Sequence, residues 1–254
     1  MFVKKFYVFA LIFLASLLFT ASARSLEKNK PFGETLCNNN PDFHCIAIAE
    51  KTVIKEIRTK NGLKKIESQV PQTWAELWPD EREREIVMKV NRLNIKLEKE
   101  MVIAVPNNMA NKTFMDFSPF PQNIGVMDEK ILIWDPELLA WAAYDETGNL
   151  VSWGPGVGGK DYCSDIGRQC HTVTGNFTII KKGNAKTRSR KFHNAPMPWA
   201  MFFHRAGYAF HGSPNVPGMN ASHGCVRIFT SDAEWLNKNF VKIGTSVIIN
   251  PYHE

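Results

Sequence analysis

Residues Phe210 to Phe229 read FHGSPNVPGMNASHGCVRIF and hold two histidines and a lone cysteine. Cys225 stands two residues after His223, and His211 lies fourteen residues before it across a loop rich in Gly and Pro. That spacing lets a thiol and an imidazole meet in space. A cysteine nucleophile needs a neighbouring base or cation to reach its thiolate near neutral pH, and histidine is the usual supplier. Gly224 tolerates a positive φ and leaves room for a carbonyl to approach, so the N–H groups around Gly224 and Cys225 are candidate oxyanion donors. A buried, inert thiol is the ordinary alternative. Downstream, Ser231 and Glu234 have the S-x-x-E spacing of a capping box, so a helix is expected behind the site.

The 254 residues and 44% hydrophobic content suit one catalytic-sized domain plus a small module, and exclude a disulfide miniprotein or a disordered chain. The formal charge of +6 favours anionic partners without choosing among nucleic acid, membrane and wall polymer. Lys4 and Lys5, the apolar run from Phe6 to Phe19, and Ala21-Ser22-Ala23 together read as a secretory signal over residues 1–23. The run is shorter than the roughly 20 residues of a membrane span; an uncleaved anchor is the alternative. Cys37 with Cys45 and Cys163 with Cys170 form two close pairs that would each close a short loop in an oxidising compartment, leaving Cys225 single. Five ordinary thiols are the other reading.

Residues 46–106 form the small α/β module. Thr52 to Ile57 and Leu63 to Val70 read as strands around an Asn61-Gly62 turn, Asp80 to Leu93 as a helix with acids in its first turn, and Met101 to Val105 as a strand stopped by Pro106. Ser25 to Asn40 shows little periodicity, and residues 107–122, bracketed by Pro106, Pro119 and Pro121, read as a linker. Residues 123–252 hold short apolar runs separated by turn residues, which imply a mainly β domain.

His211-Gly212-Ser213 followed by Ser222-His223-Gly224-Cys225-Val226-Arg227 resembles the active-site signature of the L,D-transpeptidase catalytic (YkuD-type) domain. Asp145 to Gly148, Gly156 to Gly159, Thr172 to Gly175, Pro196 to Met201 and Gly244 to Val247 follow in family order. Val173 departs from the family's usual proline, and the Cys163 to Cys170 stretch is an insertion. The resemblance implies a β-sandwich-like thiol enzyme acting on peptidoglycan stem peptides. In it Cys225 is the nucleophile and His211 the general base, its ring oriented by the Gly212 carbonyl. His223, Gly224 and Cys225 are backbone oxyanion donors, and Ser222 and Arg227 complete the substrate pocket. Neither metal nor nucleotide cofactor is required, because the amide exchange divides into two acyl transfers. The acceptor, a stem amine, the lysine of a wall-anchored lipoprotein or water, stays open. The Trp74-containing turn, the helix ending near Asn91 to Asn94 and the final Val-Ile-Ala-Val-Pro strand resemble a LysM peptidoglycan-binding module; a plain α/β spacer is the alternative.

Three rival classes remain. A zinc hydrolase would ligate the metal through His211, His223 and Cys225, but ligands at i and i+2 are awkward. A papain-like protease has the opposite order of Cys and His. A non-catalytic wall-binding protein would use the module and the basic surface alone. Trp134, Trp141, Trp153 and Trp199 read as sheet core before sugar platforms. The basic residues from Lys181 to Lys191 read as a solvated loop or lid, with no support for nucleic acid once export is assumed. The expected compartment is the periplasm of a Gram-negative bacterium.

Overall fold

The computed structural model describes residues 30–252 except residue 61, together with all their side chains except those of residues 38 and 39. The expected signal, residues 1–23, lies outside the described residues. Among those described, no helix is long and apolar enough to cross a membrane.

The N-terminal part runs α1 (Phe32–Asn39), β1 (Phe43–Ala47), β2 (Glu50–Thr59), β3 (Gly62–Pro71), α2 (Trp74–Leu77), α3 (Glu81–Val90) and β4 (Val102–Pro106). β1 and β4 pair antiparallel, Phe43 opposite Pro106. β2 and β3 pair in a single unbroken register that ends with Thr59 opposite Gly62, so Gly62 opens β3 and does not form the expected turn, while Asn61 lies outside the described residues; the pair stands as its own two-stranded sheet with Ile54 and Leu63 exposed. Asp80 caps α3 by accepting from the Glu83 amide, and the acids at Glu81 and Glu83 suit the helix dipole. Behind α3, Ile48, Trp78, Val87, Leu93, Ile103 and Val105 close a small core.

The aperiodic stretch before Asn40 turns out to contain α1. Pro31 precedes its first residue, Phe32 packs against Leu139, Val157, Val216 and Phe229, and the Cys37–Cys45 disulfide ties it to β1. Tertiary contacts and a cross-link hold this helix, not its own periodicity.

The second part is mainly β, as expected. It comprises β5 (Ile131–Asp135), β6 (Ala140–Tyr144), β7 (Leu150–Val157), β8 (Gly175–Thr178), β9 (Lys181–Lys182), β10 (Met201–Phe202), β11 (Ala209–Gly212), β12 (Val226–Ile228), α4 (Thr230–Trp235), a π-helical turn (Leu236–Phe240) and β13 (Ser246–Ile249). The strands form one curled nine-stranded sheet in the order β8-β13-β5-β6-β7-β12-β11-β10-β9. Only β13 with β5 and β11 with β12 run parallel. Side chains from both ends of the sheet, Trp134, Trp141, Phe210, Val226, Ile228 and Val247, meet in one core closed by Leu236 of the π-helical turn. Trp134, Trp141 and Trp153 are fully buried and therefore serve as core, not as sugar platforms.

β6 reads Ala-Trp-Ala-Ala-Tyr and is buried along its whole length. Its second face is covered by the 107–122 stretch, where a 3-10 turn (Phe114–Phe117) and Phe120 pack onto Ala140, Ala142, Tyr144 and Trp153. The segment expected as a linker is thus part of the packing; its phenylalanines, not its prolines, decide its place. A second expectation also fails. Thr230, not Ser231, opens α4, Phe229 is the N-cap without a side-chain bond, and Glu234 pairs with Lys238, so no capping box forms.

The two parts are joined through buried charge. Lys89 on α3 reaches Asp232 on α4 at 3.1 Å and the Trp153 carbonyl at 3.4 Å, with its Nζ 3.7 Å from the centre of the Phe114 ring. Arg92, at φ 58°, is buried and donates to the carbonyls of Leu138 and Lys89. Asn94 donates to the Ser213 carbonyl and accepts from the Val216 amide, which ties α3's C-terminal turn to the loop after β11.

Candidate active site

β11 and β12 lie side by side with His211 opposite Arg227 and Phe210 opposite Val226. Strand alternation therefore sends Phe210, Val226 and Ile228 into the core and leaves His211, Cys225 and Arg227 on the other face. The local sequence enforces this: apolar residues occupy the core positions and chemistry-bearing ones the alternate positions. Cys225, just before β12, sits diagonally across from His211.

His211 is 7% exposed, and its Nδ1 donates to the Gly212 carbonyl at 2.9 Å, the orientation the sequence led us to expect. That bond assigns the proton to Nδ1 and leaves Nε2 as acceptor. Burial, with a smaller contribution from the Arg227 charge, lowers the imidazole pKa to about 4 against the favourable Gly212 bond. The base is therefore neutral at pH 7. Cys225 is the free cysteine; the other four form the Cys37–Cys45 and Cys163–Cys170 disulfides. Its Sγ lies 3.6 Å from the Gly207 carbonyl. Burial pushes the thiol up, while a backbone hydrogen bond from Ala209 and the charges of Arg227 and Lys191 favour the thiolate.

The loop before Cys225 is held by groups of several elements. Ser222 is buried; its hydroxyl donates to the Cys225 carbonyl at 2.6 Å and accepts from the Gly224 amide at 2.9 Å. Ser222, expected to line the substrate pocket, is buried and braces the loop before Cys225 from within. The same bond changes the oxyanion expectation: the Gly224 N–H is engaged by Ser222, leaving the His223 and Cys225 amides as candidate donors. Gly224 has φ 123°, and a Cβ there would stand 2.7 Å from Tyr208 Cε1, so only glycine fits. The Gly156 to Gly159 stretch docks the loop: the Gly158 carbonyl accepts from Ala221 and Ser222, the Gly158 amide donates to Asn220, and that of Gly159 to Thr172.

His223 lines the same cleft as Cys225, but its ring is engaged by a carboxylate. Its Nε2 is 2.7 Å from Asp165, inside the loop that the Cys163–Cys170 disulfide closes, and its ring lies against Phe192. The hydrogen bond from His223 holds the Asp165 carboxyl below its usual range. Cys163, Asp165 and His223 approach one another closely enough to suggest a metal, but the Cys163 sulfur is bound in the disulfide and is no thiolate ligand. Arg227 is half-buried and forms no ion pair among the described residues; burial lowers its pKa, countered by Cys225.

Cys225 opens onto a cleft of about 870 Å³, bounded by Phe192, Met197, Phe202, Tyr208, His223 and Gly224 among others; His211 and Arg227 are not among its lining residues. Asp165, Asn220 and Lys191 are contributors that sequence reasoning missed. Lys191 was visible within the basic loop but nothing in its spacing assigned it to the thiol, and Asp165 and Asn220 carried no local signal.

Residues 129–249 match the family model for the L,D-transpeptidase catalytic domain, YkuD. Among solved structures, the chain is similar to an L,D-transpeptidase from Xylanimonas cellulosilytica, at 24% identity over 65% of this chain and 78% of that one, with a TM-score of 0.49. It is also similar to one from Mycobacterium tuberculosis, at 17% identity over 61% and 75% with a TM-score of 0.40, and to one from Mycobacterium smegmatis, at 15% over 84% and 96% with 0.41. No curated protein matches the chain. With the match spanning β11, which carries His211, and the loop that ends in Cys225, residues 129–249 belong to the YkuD family of L,D-transpeptidase catalytic domains.

Proposed function

We propose that the chain is an exported cysteine L,D-transpeptidase that takes its acyl group from peptidoglycan stem tetrapeptides. The observation that carries this is the single free thiol, Cys225, at a cleft and on the same sheet face as a buried, neutral, carbonyl-oriented His211. His211 Nε2 takes the thiol proton as sulfur attacks the carbonyl joining the third stem residue to the terminal D-alanine. Amides at His223 and Cys225 receive the oxyanion. The C–N bond then breaks, the imidazolium returns its proton to the departing amine, and D-alanine leaves behind a Cys225 thioester. An acceptor amine attacks that thioester, loses its proton to His211, and frees the thiol.

A stem amine as acceptor gives a 3-to-3 cross-link, and the lysine of a wall-anchored lipoprotein gives attachment; water would make the enzyme an L,D-carboxypeptidase. Export to the Gram-negative periplasm is supported by the signal-like residues 1–23 and by the two disulfides. A glycan-binding, LysM-like role for residues 46–106 is supported by β1 and β4 pairing across α2 and α3.

Mass spectrometry of residues 24–254 with disaccharide-tetrapeptide tests the reading against Cys225→Ala. Dimers lacking one D-alanine, absent with the variant, are the expected result. Tripeptide alone would assign hydrolysis. If neither forms and both proteins sediment equally with intact murein, a non-catalytic wall-binding protein replaces the enzyme.

A further inference from the structure

The cleft that holds Cys225 is lined by Arg168, Lys181, Lys182, Arg188, Arg190, Lys191 and Arg205, and no carboxylate stands among its lining residues. None of these cations forms an ion pair with an acid among the described residues; of the residues lining the cleft, only His223 pairs with a carboxylate, that of Asp165. What they do contact is neutral. Lys182 donates to the Val241 carbonyl, Arg188 to that of Asn194 and Lys191 to that of Ala206, while Lys181 lies over the Phe202 ring. Arg168, Arg190 and Arg205 are exposed and have no hydrogen-bonding side-chain partner among the described residues. The acid that contacts a lining residue, Asp165, is held by His223.

Surface cations of a folded protein are ordinarily interspersed with acids, and a concave surface of one sign focuses its field into the cavity. Here the uncompensated charge comes from three separate segments: the loop carrying Arg168, residues 181–191, and the turn at Arg205. The thiol lies among them, so the ligand that neutralises the charge is also the one presented to Cys225. A wall polymer lying on an outer surface would not need cations inside the cleft. A donor peptide lying in it would, if it carried several carboxylates.

We infer that the cleft selects acyl donors bearing at least two free carboxylates beyond the scissile carbonyl, and rejects stems in which the side carboxylates are amidated. The inference rests on the proposed acyl transfer from stem peptides and goes beyond it by naming which chemical form of the stem is used. A tetrapeptide donor with diaminopimelate as its third residue carries free carboxylates on its terminal alanine, on diaminopimelate and on glutamate. Converting the last two to carboxamides leaves size and hydrogen-bonding capacity almost unchanged and removes two charges. The guanidinium groups supply the planar, bidentate donors that distinguish a carboxylate from a carboxamide.

The test measures binding to full-length Cys225→Ala protein of two probes, the free-acid tetrapeptide and its diamide, at low and high salt. The free acid is expected to bind about tenfold or more tightly than the diamide at low salt, and that preference to shrink at 0.5 M salt. Arg190→Gln/Arg205→Gln, at exposed positions that no fold contact needs, is expected to narrow it as well. Equal binding of both probes would overturn the inference, as would a preference that survives high salt and the double substitution. Tripolyphosphate competing as well as the free acid would overturn it too, since the lining would then be a general polyanion surface. Wild-type protein separates this from the broader reading. Selective binding without acylation of Cys225 would refute the proposed function and support the cleft assignment, and equal acylation by both probes would do the reverse.

Discussion

Replacing Lys89 by Met tests how the N-terminal part is held to the catalytic sheet. The ammonium sits 3.1 Å from the Asp232 carboxylate, with the lysine side chain 3% exposed and the aspartate 10%. Asp232 Oδ2 already lacks a hydrogen-bond partner among the described residues, and burial raises this carboxyl's pKa against the lowering pull of Lys89. Methionine fills the volume but leaves a buried carboxylate unpaired, a change that costs about 3–5 kcal/mol. For a chain of this length that corresponds to a fall in Tm of about 10 °C. The pH dependence has a fixed sign. A carboxyl whose folded pKa is raised holds its proton in the native state after the unfolded chain has lost it, so it favours folding at low pH, and the advantage fades as pH rises through the folded pKa. Lys89→Met raises that pKa further, so its penalty should shrink on acidification. Urea unfolding of Lys89→Met, Asp232→Asn and the double variant at pH 5 and pH 8 measures it, and the double variant should regain most of the loss. A single variant within about 1 kcal/mol of wild type at pH 8, or a penalty that grows toward pH 5, would refute the reasoning.

Three further outcomes follow from the site. Because the folded pKa of His211 is lowered to about 4 from 6.5, the unfolded chain alone takes up that proton on acidification. Stability falls by about 3 kcal/mol between pH 7 and pH 4, and denaturant titrations of His211→Gln should lack that component. Ser222→Ala leaves the Gly224 amide and the Cys225 carbonyl short of a partner, costing about 2–4 kcal/mol and slowing acylation; Ser222→Thr should restore both, and full activity with an unchanged melting curve for the alanine variant would deny the bracing role. Cys163→Ser/Cys170→Ser should lose about 2.5 kcal/mol from loop closure and release the His223–Asp165 contact, visible as faster amide exchange at residues 160–172, while unchanged exchange would place the constraint elsewhere.

The parts of the site legible in the sequence were those whose cause is local. A glycine before Cys225 has to adopt φ 123° wherever the loop goes, and a histidine followed by Gly212 can bond its neighbour's carbonyl without help from elsewhere. The β2–β3 pair and α3 were legible for the same reason, since strand alternation and an acid-led period act within a few residues. Illegible features were those made by distant partners. α1 exists because Phe32 finds a core from residues more than a hundred positions away, and residues 107–122 pack because β6 needs a cover. Ser222 was visible as a motif residue, but which way its hydroxyl faces depends on the loop's own closure. Ser231 fell inside α4 because Phe229, drawn into the core, set the N-cap two residues early.

The resting site brings together a thiol whose pKa is raised and an imidazole whose pKa is lowered, both chiefly by burial. Moving the proton from Cys225 to His211 would create two buried charges from none, so a preformed thiolate–imidazolium pair is disfavoured at neutral pH. Arg227 does not reverse this, because the charge that favours the thiolate also opposes the imidazolium. In the proposed acyl transfer, the sulfur would therefore lose its proton as it attacks, when the negative charge passes on to the substrate oxygen and the amide donors. A neutral alkylating reagent offers no such oxyanion. Iodoacetamide should react with Cys225 at pH 7 more slowly than with an unfolded cysteine peptide, while a cognate donor acylates the same thiol readily. Arg227→Gln should slow alkylation further, since removing the cation raises the thiol pKa. Rapid alkylation at pH 7, unaffected by His211→Gln, would mean that the thiolate already exists at rest and that the base has a different task.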